Sequence, residues 1–110
     1  MPKTNPPFMT GVPELLLLRL LANGQMYGYQ LVRHVQLVTD NAISLGEGVI
    51  YPMLHGLEKA GHLHAERKQV GARSRVYYEC TPKGRKRLAA LEGEWRRISE
   101  ALAASAAVAS

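Results

Sequence analysis

GEGVIYPMLHGLEKAG, residues 46–61, decides the fold. On a wheel of about 100° per residue, Ile50, Met53, Leu54 and Leu57 gather on one side and must face a core. The opposite side holds Gly48, Pro52, His55, Gly56 and Lys59. Tyr51 falls on the flank, where its ring can pack while its hydroxyl points outward. A helix that merely faces water has little reason for this composition. A mid-helix glycine such as Gly56 costs roughly 1 kcal/mol relative to Ala, and Pro52 removes a backbone donor. Small residues on an outer face let the backbone approach something, and the helix N-terminus offers free N–H groups and a positive dipole to an anion. A DNA major groove, about 12 Å wide and lined by phosphates, suits both features. A core helix with two tolerated glycines is the plainer alternative, and the neighbouring segments decide between them.

Upstream, Thr10 and Pro13 mark the start of a helix. Leu15 to Leu18, Leu20 and Leu21 make it apolar nearly all round, so it is expected to be covered on more than one side, the second cover being another copy of the chain. Asn23-Gly24 ends it. A second helix is expected from Tyr27 to Val38, with Leu31, Val32, Val35 and Val38 inward and Gln30, Arg33, His34 and Gln36 mostly off that stripe. Thr39-Asp40-Asn41 breaks it. Downstream, His62–Lys68 and Ser74–Cys80 flank a turn around Gly71. Val76, Tyr78 and Cys80 alternate with Arg75, Tyr77 and Glu79, the period of a half-buried strand. This predicts a β-hairpin with Lys68, Arg73 and Arg75 at its tip. Thr81-Pro82 then opens a long helix, Thr as N-cap and Pro at the first position. Along it Leu88, Leu91, Trp95, Ile98 and Leu102 recur at spacings of 3, 4, 3 and 4, a short heptad seam.

The order is helix, helix, helix, hairpin, long helix: a mainly α chain with a small hairpin, the layout of a winged helix-turn-helix. In that fold the third helix reads the major groove and a basic wing reaches the backbone or minor groove. The expected organisation is a Pro-rich flexible arm over residues 1–9, a DNA-binding unit over 10–81 and a dimerisation helix over 82–110.

Bulk properties agree. The 110 residues suffice for one small domain, and a net charge of +5 with a pI near 9.7 favours polyanionic partners. Eight of the 14 Lys and Arg residues lie between positions 66 and 87, opposed there by Glu66 and Glu79 alone. Cys80 is the single cysteine, so an internal disulfide is excluded. With no signal peptide, the cytoplasm is the expected compartment. The run ELLLLRLLA is far shorter than the roughly 20 residues of a membrane span. No nucleophile-base pair, P-loop or paired-carboxylate signature appears, so an enzyme is not expected, nor a cofactor.

Taken together, LLLLRLLANGQMYGYQL (15–31), LGEGVIYPMLHGLEKAGHL (45–63), GARSRVYYECTPKGRKRL (71–88) and the Trp of LEGEW (91–95) strongly resemble the PadR family of bacterial transcriptional regulators, in its order and spacing. Gly56 stands where that family more often has Arg or another longer side chain, Ala72 and Ser74 replace the usual Gly and Pro of the wing, and Cys80 replaces a common Leu. The resemblance implies a homodimeric repressor bound to an inverted-repeat operator in double-stranded DNA. Its last helix would pair with the first helix of the partner, giving an interface of Leu16, Leu20, Leu88, Leu91, Trp95, Ile98 and Leu102. Carried over by position, the DNA contacts are Tyr27, Gly48, Val49, Tyr51, Pro52, His55, Arg73 and Arg75, to which charge and face add Lys59 and Lys68. In some members the residue matching Trp95 flanks a pore for flat aromatic effectors; packing in a dimer core is the simpler role.

Three features carry less. His62 and His64, two apart on a strand, would share a face with Glu66 nearby, too few ligands for a metal site. Cys80, on the inward side of its strand, is expected to be inert. Arg85-Lys86-Arg87 is read either as a solvated first turn or as a phosphate contact. A winged-helix module that binds protein rather than DNA is the competing function.

Overall fold

The computed structural model describes residues 10–109, so the arm expected over residues 1–9 lies outside the described residues. Helix α1 spans Val12–Ala22, α2 Gly28–Val38, α3 Glu47–Lys59 and α4 Pro82–Ser105, with a short 3-10 turn at Ala106–Ala109. Strands β1 (Met26–Tyr27), β2 (Leu63–Val70) and β3 (Arg73–Cys80) form an antiparallel sheet in the order β1-β3-β2. This is the winged helix-turn-helix expected from the sequence, with a long terminal helix.

The core is centred on α1. Leu17, Leu18 and Leu21 are buried completely or almost so, and Leu31, Val35, Ile50, Leu54 and Leu63 close around them. The all-round apolar character of α1 does not require a second copy. Its sides are covered within the chain by α2, β3 and α4. The helix begins two residues later than Thr10 suggested. Gly11 is the N-cap at φ 81°, a left-handed conformation that residues with a Cβ seldom adopt.

Helix α2 starts from Tyr27, whose backbone N–H donates to Gln30 Oε1 at 3.1 Å. Its expected stripe holds for Leu31, Val32 and Val35, but Val38 is exposed, as is Leu37. The break comes where expected. Thr39 Oγ1 donates to Val35 O at 2.7 Å and accepts from Ile43 N–H at 3.1 Å, while Asp40 and Asn41 take positive φ.

Strand β1 was not anticipated: two residues carry no periodicity. It pairs Met26 with Tyr78 and Tyr27 with Tyr77, giving the sheet a second edge beside α2. The hairpin also runs further than expected, to Val70 opposite Arg73. His62 precedes β2 and therefore does not share a strand face with His64.

The start of α4 is clamped to the α3–β2 junction. Thr81 Oγ1 accepts from Gly84 N–H at 3.0 Å and donates to Gly61 O at 2.6 Å, and Thr81 N–H donates to His62 O at 3.1 Å. Gly84 is buried against the His62 carbonyl so closely that a Cβ would overlap its oxygen. Both partners are backbone, so the overlap can be relieved only by separating the elements. Gly84→Ala should therefore destabilise the chain by about 2 kcal/mol despite the better helix propensity of Ala. Gly56→Ala, where a Cβ meets nothing within 4 Å, should stabilise it by up to about 1 kcal/mol. Urea denaturation of the two variants checks the opposite signs.

Candidate nucleic-acid interface

The outer face of α3 is open. Gly48, Val49, Pro52, His55, Gly56 and Lys59 are exposed, and nothing lies within 4 Å of a Cβ built on Gly48 or Gly56. Ile50, Leu54 and Leu57 on the other face are buried, so the helix is fixed in rotation and its sparse side points out. Tyr51 is half-buried, and its ring fills the space where a Cβ on Gly28 would stand. This contact seats the N-terminal turn of α2 against α3.

Tyr51 also joins that face to the wing. Alternation along β3 places Arg73, Arg75 and Tyr77 on the outer side of the sheet, with Lys68 opposite Arg75 and Glu66 opposite Tyr77. The Arg75 guanidinium lies 4.3 Å from the centroid of the Tyr27 ring. Tyr27 meets Tyr77 edge-to-face at 5.4 Å, and Lys68 Nζ stands 5.2 Å from the Tyr77 centroid. Lys68 also donates to Gln25 Oε1, and Gln25 Nε2 to Glu66 Oε1 at 3.4 Å. Lys68 and Arg75 thus pair two positions back from the Val70–Arg73 end of the hairpin and are half-buried. Arg73 alone of the three sits beside the Gly71-Ala72 turn and is exposed.

Between α2 and this outer side of the sheet runs an open groove of about 860 Å³. Tyr27, Tyr51, Arg73 and Arg75 line it, together with Tyr29 and Arg33 of α2, which the sequence reading did not select. Arg33 was visible only as a residue off the apolar stripe; the fold was needed to show what it faces. Val49, His55 and Lys59 lie outside the groove, on the α3 face.

Residues expected at a dimer interface divide along α4. Leu16 and Leu20 are only 7% and 8% exposed within the single chain, and Leu88 and Leu91 pack against the same core. Trp95, Ile98 and Leu102 are 47%, 39% and 64% exposed. Beside Trp95 and Ile98 is an apolar recess of about 120 Å³ lined also by Val12, Leu15 and Leu91. The first half of α4 is fastened to the chain's own α1 by two forked ion pairs. Arg19 Nε donates to Glu92 Oε2 at 2.6 Å, and Arg87 donates to Glu14 at 2.9 and 3.1 Å. Arg85 donates to Ala22 O at 3.0 Å, so two members of the Arg85-Lys86-Arg87 run are engaged on α1. The hydrogen bond and charge of Arg19 hold the Glu92 carboxyl below the ordinary carboxylate range.

Burial pushes the Cys80 thiol up, and its Sγ lies 3.5 Å from Leu18 O. Among the described residues there is no cluster of three or more His, Cys, Asp or Glu side chains able to hold a metal. No helix among them is long and apolar enough to cross a membrane.

The profile of the transcriptional regulator PadR-like family matches residues 17–90. The chain belongs to the PadR-like family. It is 33% identical over 93 residues to the transcriptional regulator Rv3488 of Mycobacterium tuberculosis, covering 84% of this chain and 81% of that one. A transcriptional regulator from Clostridium thermocellum superposes with a TM-score of 0.81 at 26% identity, covering 87% of this chain and 94% of that one. A PadR family transcriptional regulator from Eggerthella lenta gives a TM-score of 0.76 at 28% identity, over 88% and 83% of the respective chains. The PadR-like match runs from the buried leucines of α1 to the first turns of α4, and so contains α3, the groove and the whole wing. The protein is thus a DNA-binding transcriptional regulator, and its family is one of regulators rather than enzymes.

Because the Glu92 carboxyl is depressed by Arg19, its contribution to stability is complete above the unfolded value near 4.5 and is lost as pH falls through the lower folded value. Both side chains are partly exposed, which limits the pair to about 1 kcal/mol or less. Glu92→Gln should be less stable than the parent at pH 7 by up to that amount, and the difference should shrink as pH falls below 4.5, as urea titrations across that range can show.

Proposed function

We propose that the protein is a homodimeric, sequence-specific repressor of the cytoplasm that occludes an inverted-repeat operator. Residues 10–81 serve as the reading unit and 82–110 as the dimerisation helix. One observation carries this reading: the exposed, small-residue side of α3 continues through Tyr51 into the groove bordered by Arg73 and Arg75. A helix stripped of bulk beside unpaired guanidinium groups is what close approach to a charged duplex requires.

In this reading Gly48 and Pro52 let the α3 backbone come near the groove floor. Val49 meets a thymine methyl, and His55 a base edge or phosphate. Tyr27, Tyr51, Lys59, Lys68, Arg73 and Arg75 contact the backbone, setting position rather than sequence. The Trp95, Ile98 and Leu102 stripe, apolar and exposed, supports pairing with a second copy, over the foundation that Leu16, Leu20, Leu88 and Leu91 provide. The apolar recess beside Trp95 supports a flat aromatic effector that releases the DNA.

Selection from random duplexes should return an inverted repeat with half-sites about one helical turn, 34–36 Å, apart. Gly56→Arg should change the selected bases while leaving the fold intact. Absence of any retarded duplex in dilute buffer would falsify the proposal and favour a protein-binding module.

A further inference from the structure

The nine arginines of this chain differ in what engages their guanidinium groups. Arg19, Arg87 and Arg97 are each paired with a carboxylate, from Glu92, Glu14 and Glu94 respectively. The Arg33 and Arg73 side chains have no hydrogen bond or ion pair among the described residues, and that of Arg75 has only the Tyr27 ring. These three border the same groove, one from α2 and two from β3. Asp40 is the one carboxylate in the lining, and it lies beyond the C-terminus of α2, away from the Tyr27 end. Three guanidinium groups left without counter-charges around one concave surface form an anion-binding arrangement, since each keeps its forked donors free for a phosphate.

Their placement suits an extended anion rather than a small one. The groove has a volume of about 860 Å³. Tyr27 and Arg33 are six residues apart, about 9 Å along α2 at 1.5 Å per residue. The two walls are linked: Arg75 lies over the Tyr27 ring, and β1 ties the start of α2 to the wing through the Tyr27–Tyr77 pair. Tyr51 brings the edge of α3 to the same surface.

We propose that the groove between α2 and the outer side of the wing is a backbone track, in which Arg33, Arg73 and Arg75 together hold phosphates of one DNA strand. This rests on the DNA-facing assignment of α3 and the wing and adds α2, through Arg33, as a third wall of the contact. The strand enters past Tyr51, passes between Arg75 and Arg33, and is held without regard to base sequence. Arg67 provides an internal comparison. It lies on the opposite side of the wing, where it donates to Ser74 Oγ at 3.2 Å.

The test is fluorescence anisotropy with a mixed-sequence duplex at several salt concentrations, comparing the parent with Arg33→Ala, Arg33→Lys, Arg73→Ala and Arg67→Ala. Releasing one phosphate contact lowers the slope of log K against log salt by about 0.9, which corresponds to a loss of roughly five- to ten-fold in affinity near 0.1 M salt. Arg33→Ala should show both changes at an unchanged thermal midpoint, Arg33→Lys should keep most of the slope, and Arg67→Ala should match the parent. If Arg33→Ala matches the parent while Arg73→Ala weakens binding, the α2 wall is not used and the track is refuted, though the wing assignment stands. If Arg67→Ala lowers the slope as much as Arg33→Ala, net charge and not the groove is responsible, which also overturns the proposal. A parent that does not bind the duplex in dilute buffer removes the DNA-facing assignment itself.

Discussion

The contact between the Tyr51 ring and Gly28 fixes the geometry on which the functional surface depends. The ring occupies the volume that any other residue at position 28 would fill with its Cβ. This sets how closely the first turn of α2 approaches α3. Because Gly28 directly follows β1, the same contact also places the sheet edge, and with it Tyr27 and the guanidinium of Arg75. A single missing methyl group therefore relates α3, the groove and the wing. Packing at this density leaves little room for adjustment.

The distribution of charge has a complementary logic. Where α4 lies on α1, arginine and glutamate meet in forked pairs that hold two helices together at a partly exposed seam. Around the groove, guanidinium groups of similar type are left with aromatic neighbours or with none. An aromatic face steadies a cation without neutralising it, so Tyr27 can orient Arg75 while leaving its charge available. Identical side chains thus hold the chain together in one region and stand without counter-charges in another, and the difference lies in where the carboxylates are.

Most of this architecture was legible in the sequence because it is written in periodicity. Ile50, Leu54 and Leu57 assign the inward side of α3, and the structure buries those three. Thr81-Pro82 announces α4, and Thr81 does cap it. What escaped notice has no period. Strand β1 is two residues long and exists because Tyr27 finds a partner in Tyr77, fifty positions away. Arg33 acquires a meaning only when the wing folds opposite it. The all-round apolar pattern of α1 does not distinguish a cover within the chain from one by a second copy, and α2, β3 and α4 supply the first. His62 was placed on a strand because alternation cannot show where pairing begins.

The approach of Gly84 to the His62 carbonyl has a mechanical meaning. With backbone against backbone at that point, and Thr81 bridging both segments, no slack linker separates the wing from the 24-residue helix that follows. The helix behaves as a stem about 36 Å long welded at its base to the end of α3. In a two-fold assembly built on such stems, the span between the two reading helices follows from the crossing angle of the stems, and a small change in that angle is delivered undamped to the half-site spacing.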